Sequence, residues 1–308
     1  MEQLVSIVSP CYNGEGYLSR YFDAILAQTY RPLELILVND GSKDSTQNII
    51  DAYADKLTAA GIRFSCIQKE NQGVGAAIND GLKLTTGDYL IWPDTDDILA
   101  PDSIAKRVAF LQTHPEFGFV LSDGQTCLEP DWKTPVNRIH GIVPKDGWLF
   151  SNVISGNVVY TPCGYMLRMD AFLAVNPNKE IYPSRYGQAI QMLLPISRKF
   201  RCGHLKEVLY TRVDRVDSLS KKVWTESDTA WKNRVLGLSD IYTETLKSIG
   251  EEAIAYIPYI KFRDLRTLSA ISKNIGGQTR KAQRKTLSLA RRLLLKELLK
   301  SFLDLLKH

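Results

Sequence analysis

The sequence predicts an α/β fold: a mostly parallel sheet, followed by an α-helical C-terminal extension. Three observations carry this expectation. Apolar runs of strand length alternate with stretches of ten to fifteen residues that place apolar side chains at helical spacing. Three of the apolar runs lead into polar turns: Cys11-Tyr12-Asn13-Gly14-Glu15, Asn39-Asp40-Gly41-Ser42 and Asp94-Thr95-Asp96-Asp97. From about Thr225 the pattern turns helical, and residues 279–307 alternate Leu clusters with Lys and Arg at amphipathic spacing.

The elements follow in order. Residues 4–10 read as a buried strand, and Tyr17 to Gln28 as a helix. Leu33 to Asn39 is a second apolar run, and Asp44-Ser45-Thr46 caps a helix that reaches about Ala60. Ile62 to Gln68 is a third strand, Gly73 to Leu84 a helix, and Tyr89 to Pro93 a fourth strand. Strands alternating with helices of this length form βαβ units. Ligands of such sheets sit beyond the carboxyl ends of the strands, so the three polar turns are expected on one rim. Phe117 to Ser122 reads as a strand ending at Asp123-Gly124; residues 124–164 are less regular and hold Trp132, His140 and Trp148; Leu205 to Arg212 is a further strand.

Composition bounds the function classes. The chain has 308 residues, enough for one large or two modest domains, and its 44% hydrophobic and 24% charged content is that of a globular protein. The net charge is +5, with the basic excess concentrated in 261–308, which suggests an anionic surface or partner for the tail. The five cysteines are scattered, without a CxxC pair, as expected of free thiols in a reducing compartment. The N-terminus has no basic, apolar leader pattern, and no stretch approaches eighteen apolar residues. A cytoplasmic protein is expected. No GxGxxG follows the first strand, which argues against a dehydrogenase.

The acidic turn is the richest in chemistry. Three carboxylates within four positions repel one another unless a cation neutralises them. Mg²⁺ and Mn²⁺ prefer carboxylate oxygens and keep positions open for phosphate. A metal bridging carboxylates to a diphosphate implies a nucleotide-linked substrate. A helix N-cap beside a solvated acidic turn is the alternative reading, since Asp102-Ser103 follows.

Five motifs occur in order: Ser9-Pro10-Cys11-Tyr12-Asn13, Val38-Asn39-Asp40-Gly41-Ser42, Asn71-Gln72-Gly73-Val74-Gly75 with Asn79-Asp80-Gly81-Leu82, Gly87-Asp88-Tyr89-Leu90-Ile91, and Asp94-Thr95-Asp96. Together they resemble family 2 glycosyltransferases, which have the GT-A fold, a Rossmann-like, mostly parallel sheet. The match runs from about Val5 to Leu128 and more weakly to Lys221. The resemblance implies a catalytic domain over 1–222, with a nucleotide-sugar half over 1–128 and an acceptor half over 129–222, before a helical basic region over 223–308. It also implies roles. Tyr12 would pack on the nucleotide base, with Pro10 and Asn13 in the same turn. Asp40 would accept from a uracil-like ring N–H, and Glu15 would lie near base or ribose. Asn71, Gly73 and Gly75 would form a loop near the nucleotide, with Asn79 in the helix after it. Asp96 would be the metal ligand (Mn²⁺ or Mg²⁺), helped by Asp94 and flanked by Thr95, while Asp97 caps the next helix. Asp123 would contact the donor sugar. Rim aromatic, turn-forming Asp and solvated loop remain the plain alternatives for these positions.

Two departures stand out. Many relatives carry Arg where this chain has Ile78, so a phosphate contact must come from elsewhere; Arg215, Arg212 and Lys221 are the candidates. Relatives also present a Glu-Asp pair at a helix start near the acceptor, the second acid being the base. Here Gln188 occupies the position of the usual base, and an amide accepts no proton at neutral pH. Glu180, Asp170 and Asp123 are the acids available instead. Either one of them serves, or the mechanism differs, or the protein does not transfer sugars. His204 is expected in a surface or packing role, and His140, in the irregular stretch, is uninformative; Trp132 and Trp148 either stack on an acceptor sugar or pack.

The expectation is a metal-dependent enzyme moving sugar from a nucleotide-sugar, a UDP-sugar, with inversion. The acceptor is a growing glycan, a bacterial surface polysaccharide on a lipid carrier. Nucleic acid is not among the expected partners. The basic tail lies either on an anionic membrane surface, making the protein peripheral at the inner face, or against the catalytic domain or a second copy. One rival is a nucleotide-sugar or glycan-binding protein without catalysis. Another is a nucleotidyltransferase, against which stands the lack of Lys or Arg in the first turn.

Overall fold

The structure is a computed structural model and describes residues 2–215 and 228–273. The chain divides into two compact units, Met1–Val216 and Asp217–His308.

In the first unit, β1 (Val5–Cys11), β2 (Leu33–Asp40), β3 (Ile62–Lys69) and β4 (Tyr89–Ile91) form the parallel half of a sheet. They are linked by α1 (Leu18–Leu26), α2 (Thr46–Ala59) and α3 (Val74–Lys83). β2 is buried throughout, as a strand covered on both faces must be. In α1, Leu18, Tyr21, Phe22 and Ile25 recur at helical spacing and all lie buried. Each such side chain taken from water contributes about 1.5–3 kcal/mol. The carboxylate of Glu34 pins the opposite end of the sheet: it accepts from Ser6, from both the N–H and hydroxyl of Thr86, and from the Gly87 N–H. That clamp sets where β4 begins, and so where the acidic turn emerges.

The other half is mixed. β5 (Ile98–Leu99), α4 (Ser103–Thr113), β6 (Phe117–Leu128), β7 (Asp131–Ile139), α5 (Phe150–Ser155), β8 (Tyr165–Arg168), α6 (Met169–Leu173), α7 (Gln188–Lys199) and β9 (Arg201–Asp214) follow. The strand order is β3-β2-β1-β4-β8-β6-β9-β5, with β7 paired to β6. β8 runs antiparallel between β4 and β6.

Three expectations need correction. The strand predicted over Phe117 to Ser122 continues to Leu128 and turns back as β7, so the start of 124–164 is a regular hairpin. Every residue from Lys133 to Arg138 is exposed, so no apolar alternation marks this edge strand. β4 stops at Ile91, short of Pro93. Asp97 does not cap a helix: β5 intervenes, α4 begins at Ser103, and Asp102 holds its N-cap position.

In the second unit, α8 (Asp228–Ile249) packs with α9 (Glu251–Ile254) and α10 (Ile257–Lys273). Lys221, the Asp217-Ser218-Leu219-Ser220 stretch and the basic 279–307 segment lie outside the described residues.

Candidate active site

The three polar turns do meet on one rim. The Asn13 N–H donates to Ser42 Oγ at 2.9 Å, and Asn13 Oδ1 accepts from the Lys43 N–H at 2.9 Å. Glu15 accepts from the Ser45 N–H at 2.8 Å, which turns its carboxylate to the chain. The Thr95 hydroxyl donates to the Pro10 carbonyl at 3.3 Å, joining the ends of β1 and β4. Tyr12 stands out from this frame, 44% exposed, with its ring available to stack.

Asp40 is almost wholly buried, and its two oxygens accept from the N–H groups of Gln72 (2.9 Å) and Gly73 (2.8 Å). Asn71 donates to the Asp40 carbonyl at 2.9 Å. Asp40 therefore shapes the 71–73 loop before it meets any ligand. Gly73 turns at φ +94°, a conformation that side chains resist. Beside Asp40 opens a cleft of about 660 Å³ lined by Gly41, Lys43, Gln68, Lys69, Glu70 and Asn71.

Carboxylate oxygens of Asp94, Asp96 and Asp97 lie within 4.8 Å of one another. Their surroundings differ. Asp94 accepts from Gln188 Nε2 at 3.1 Å, and burial, together with the charge of Asp96, pushes its carboxyl up to about 7. Burial also raises Asp96, against the pull of Arg215 and Arg20. Arg215 pairs with Asp96 Oδ2 at 3.2 Å and lies 4.3 Å over the Tyr17 ring; Arg20 donates to the Asp96 carbonyl at 3.2 Å. Asp97 points inward, accepting from the Val213 N–H at 3.1 Å and from the Cys163 thiol. Burial, then Asp96 and Asp94, push it well above the carboxylate range. Asp94 and Asp96 thus offer hard oxygen donors to a divalent cation, and Asp97 braces them from behind.

Other predicted residues lie elsewhere. Asn79 is buried and spends its amide on both backbone groups of Ile181, at 2.8 Å each, so it faces the 181 segment and not a ligand. Glu180 is exposed and adjoins Lys179, whose ammonium donates to the Thr85 carbonyl beyond the far end of α3. Ile181 is held at Asn79, four residues past Gly75 in α3, and a helix rises about 1.5 Å per residue, so Glu180 is set back along α3 from the rim. Asp170 begins α6 just after β8, whose Arg168 pairs with Tyr89 at the start of β4, the end away from the rim. Asp123 accepts from His204 (2.8 Å), His140 (3.2 Å) and the Gly141 N–H (2.8 Å), which ties the β7 exit to β9. Arg212 pairs with Asp214 at 3.0 Å. Trp148 is 47% exposed, and Trp132 lies 5.5 Å from the Arg20 guanidinium.

Arg20, Tyr17, Cys163 and Arg185 escaped the sequence reading. Tyr17 and Arg20 are three apart at the start of α1 and so share a face, the one signal available. Nothing local connects Arg20 to Asp96, 76 residues on.

Known proteins resemble this chain in sequence and in fold. The model of the family described as glycosyl transferase family 2 matches residues 6–172. An uncharacterized glycosyltransferase of Rickettsia felis is 33% identical over 192 residues, covering 58% of this chain and 30% of that protein. The chain thus spans about a third of the length of this curated relative. Among solved structures, Staphylococcus aureus TarS 1–349 in complex with UDP-GlcNAc superposes with a TM-score of 0.64 at 19% identity, covering 92% of this chain and 78% of that one. The mannosyltransferase PcManGT of Pyrobaculum calidifontis, in complex with GDP-Man and Mn²⁺, gives 0.54 at 16% identity, covering 99% and 87%. These likenesses carry the GT-A fold. With the family model spanning more than half of the 308 residues, from β1 into α6, the chain belongs to glycosyl transferase family 2.

Proposed function

We propose that the protein is a metal-dependent glycosyltransferase that moves a sugar from a UDP-sugar to a growing glycan, with inversion at the anomeric carbon. The observation that carries this reading is the Asp94–Asp96 pair on the same rim as Tyr12 and the Asp40 cleft. The nucleoside end of a donor fits the cleft, with its base against Tyr12. Asp94 and Asp96 would hold Mn²⁺ or Mg²⁺, which supplies Lewis-acid neutralisation to a leaving diphosphate. Thr95 and Pro10 hold the acidic turn against the end of β1. Arg20, anchored by Glu129 at 3.3 Å, fixes the Asp96 backbone. In transfer, the bond from the anomeric carbon to the diphosphate oxygen breaks and the acceptor oxygen takes its place, while the acceptor proton passes to a base. Gln188 takes no proton; its amide donates to Asp94 and orients that carboxylate.

Support for the donor class comes from the UDP-GlcNAc in the TarS complex and the GDP-Man with Mn²⁺ in PcManGT. A lipid-carried bacterial surface polysaccharide remains our reading of the acceptor, and an anionic membrane face our reading of the basic tail's partner. Among the described residues no helix is long and apolar enough to cross a membrane. The full chain is expected to sediment with anionic vesicles at low salt and to release at high salt. Sedimentation that is absent, or equal with neutral vesicles, removes the membrane partner.

The donor reading is tested by incubating the protein with UDP-sugars, Mn²⁺ and a panel of glycan acceptors, and measuring released UDP. Wild type is expected to release UDP, and Asp96→Ala to lower the rate by about a hundredfold or more. Unchanged release by Asp96→Ala would overturn the metal role. A second reading, nucleotide-sugar binding without catalysis, is favoured by Gln188 at the base position. UDP-sugar binding without turnover over the whole panel would select it. Release of pyrophosphate would instead revive a nucleotidyltransferase.

A further inference from the structure

Residues 182–188 cross the rim from the nucleotide loop to the acidic turn. At one end the Gly75 N–H donates to the Ser184 carbonyl at 2.8 Å. Arg185 lies on Gly73: a Cβ at Gly73 would stand 3.1 Å from Arg185 Cγ and 3.4 Å from its Cα. At the other end Gln188 donates to Asp94 at 3.1 Å. The stretch between is held from within. Gln191 Nε2 donates to the Tyr182 carbonyl and to Ser184 Oγ, both at 3.1 Å, and the Ser184 hydroxyl donates to the Tyr186 carbonyl at 2.6 Å. The backbone that presents Arg185 is therefore positioned before any ligand arrives.

Of the neighbouring cations, three have acidic partners, and Lys43 lines the cleft beside Gly41. Arg215 pairs with Asp96, Arg20 with Glu129, and Lys69 with Asp80. The helix behind the loop contributes none, since Ile78 is fully buried in the core. Arg185 is exposed and has no ion pair or hydrogen bond among the described residues.

Charge balance calls for such a group. Two carboxylates offset one divalent cation, so a bound diphosphate needs positive charge from the chain itself. The place is also defined. Asp40 ends β2 and Asp94 follows β4, with β1 between them, a separation of about 10 Å at ordinary strand spacing. Arg185 is borne on the segment that bridges those two ends. Its planar guanidinium suits paired phosphate oxygens.

We propose that Arg185 binds the diphosphate of a nucleoside diphosphate donor, between the Gly73 backbone and Asp94. The proposal rests on the nucleotide-sugar reading above. The competing role is plain cover, in which the aliphatic stem shields Gly73 and the charge is idle. Arg185→Met keeps a stem and removes the charge; Arg185→Lys keeps the charge without the fork.

The test is equilibrium binding of UDP and of uridine, each with Mn²⁺, to wild type and both variants, with melting temperature as a fold control. Arg185→Met is expected to weaken UDP by about tenfold or more and uridine by less than about twofold, at unchanged melting temperature. Arg185→Lys is expected to recover part of the loss. If Arg185→Met binds UDP as wild type does, or loses UDP and uridine equally, the diphosphate role is wrong and the stem is cover. If wild type itself shows no preference for UDP over uridine, or binds neither, the nucleotide-sugar reading falls, and this assignment falls with it.

Discussion

At Asp96 two guanidinium groups converge, Arg215 on the carboxylate and Arg20 on the carbonyl. Asp94, two positions earlier, meets only an amide, from Gln188, among the side chains of the described residues. The difference has a pH consequence. With its carboxyl raised to about 7 from an ordinary 3.8, Asp94 keeps a proton in the folded state that the unfolded chain has already released. Between those two values the folded state binds more protons, so the metal-free protein is expected to lose stability as pH rises through this window. A divalent cation needs the deprotonated carboxylate, so thermal stabilisation by Mn²⁺ should grow from about pH 6 to about pH 8. A Mn²⁺ shift that is flat over that range would refute the assignment. Asp97→Asn provides a second check. It retains an acceptor for the Val213 N–H and removes a carboxyl that burial, Asp96 and Asp94 already push toward its neutral form. The onset of Mn²⁺ stabilisation should therefore stay where it is in wild type, measured by the same melting curves; a clear shift would show that Asp97 carries charge beside Asp94.

Among the elements, the contact between α3 and the 182–188 segment decides whether the rim is assembled. Gly75 makes it possible: a Cβ there would stand 2.6 Å from the Ser184 nitrogen and 2.9 Å from its carbonyl oxygen. Neither backbone atom can yield cheaply, and overpacking of this kind costs about 1–3 kcal/mol. Gly75→Ala is therefore expected to lower the unfolding free energy by that amount and to weaken UDP binding, because the segment bearing Arg185 and Gln188 is displaced. Gly16→Ala is the matched control, since nothing lies within 4 Å of a Cβ at that position. Equal effects of the two changes in denaturant titrations would show that the close approach is unimportant. The β6–β7 hairpin is the other element that matters, because Glu129 at its turn holds Arg20 and Trp132 stands beside that guanidinium.

For the whole molecule, every residue of the candidate donor site falls within Met1–Val216. A chain ending at residue 222 is expected to fold and to bind UDP with Mn²⁺ about as tightly as the full protein, by calorimetry. Loss of binding with folding intact would assign the C-terminal helices a part in the site. The parallel half and its three turns were legible because their signals are local: apolar runs such as Leu33–Asn39, and turn residues at strand ends. β7 was not legible, since its exposed side chains carry no alternation and its pairing comes from β6. Likewise the residue types at Asp94, Asp96, Tyr12 and Asp40 announced nucleotide and metal chemistry, but not what each side chain touches. Sequence alone determined the family, the βαβ order and the acidic turn, because these depend on residue type and short spacing. Only the tertiary structure decided that Asp97 faces Val213, that Asn79 serves Ile181, that Glu180 stands away from the rim, and that Arg20, Arg215 and Gln188 surround the carboxylates. Those contacts join residues far apart in the chain, and no local pattern encodes a pairing that sheet order and helix length bring about.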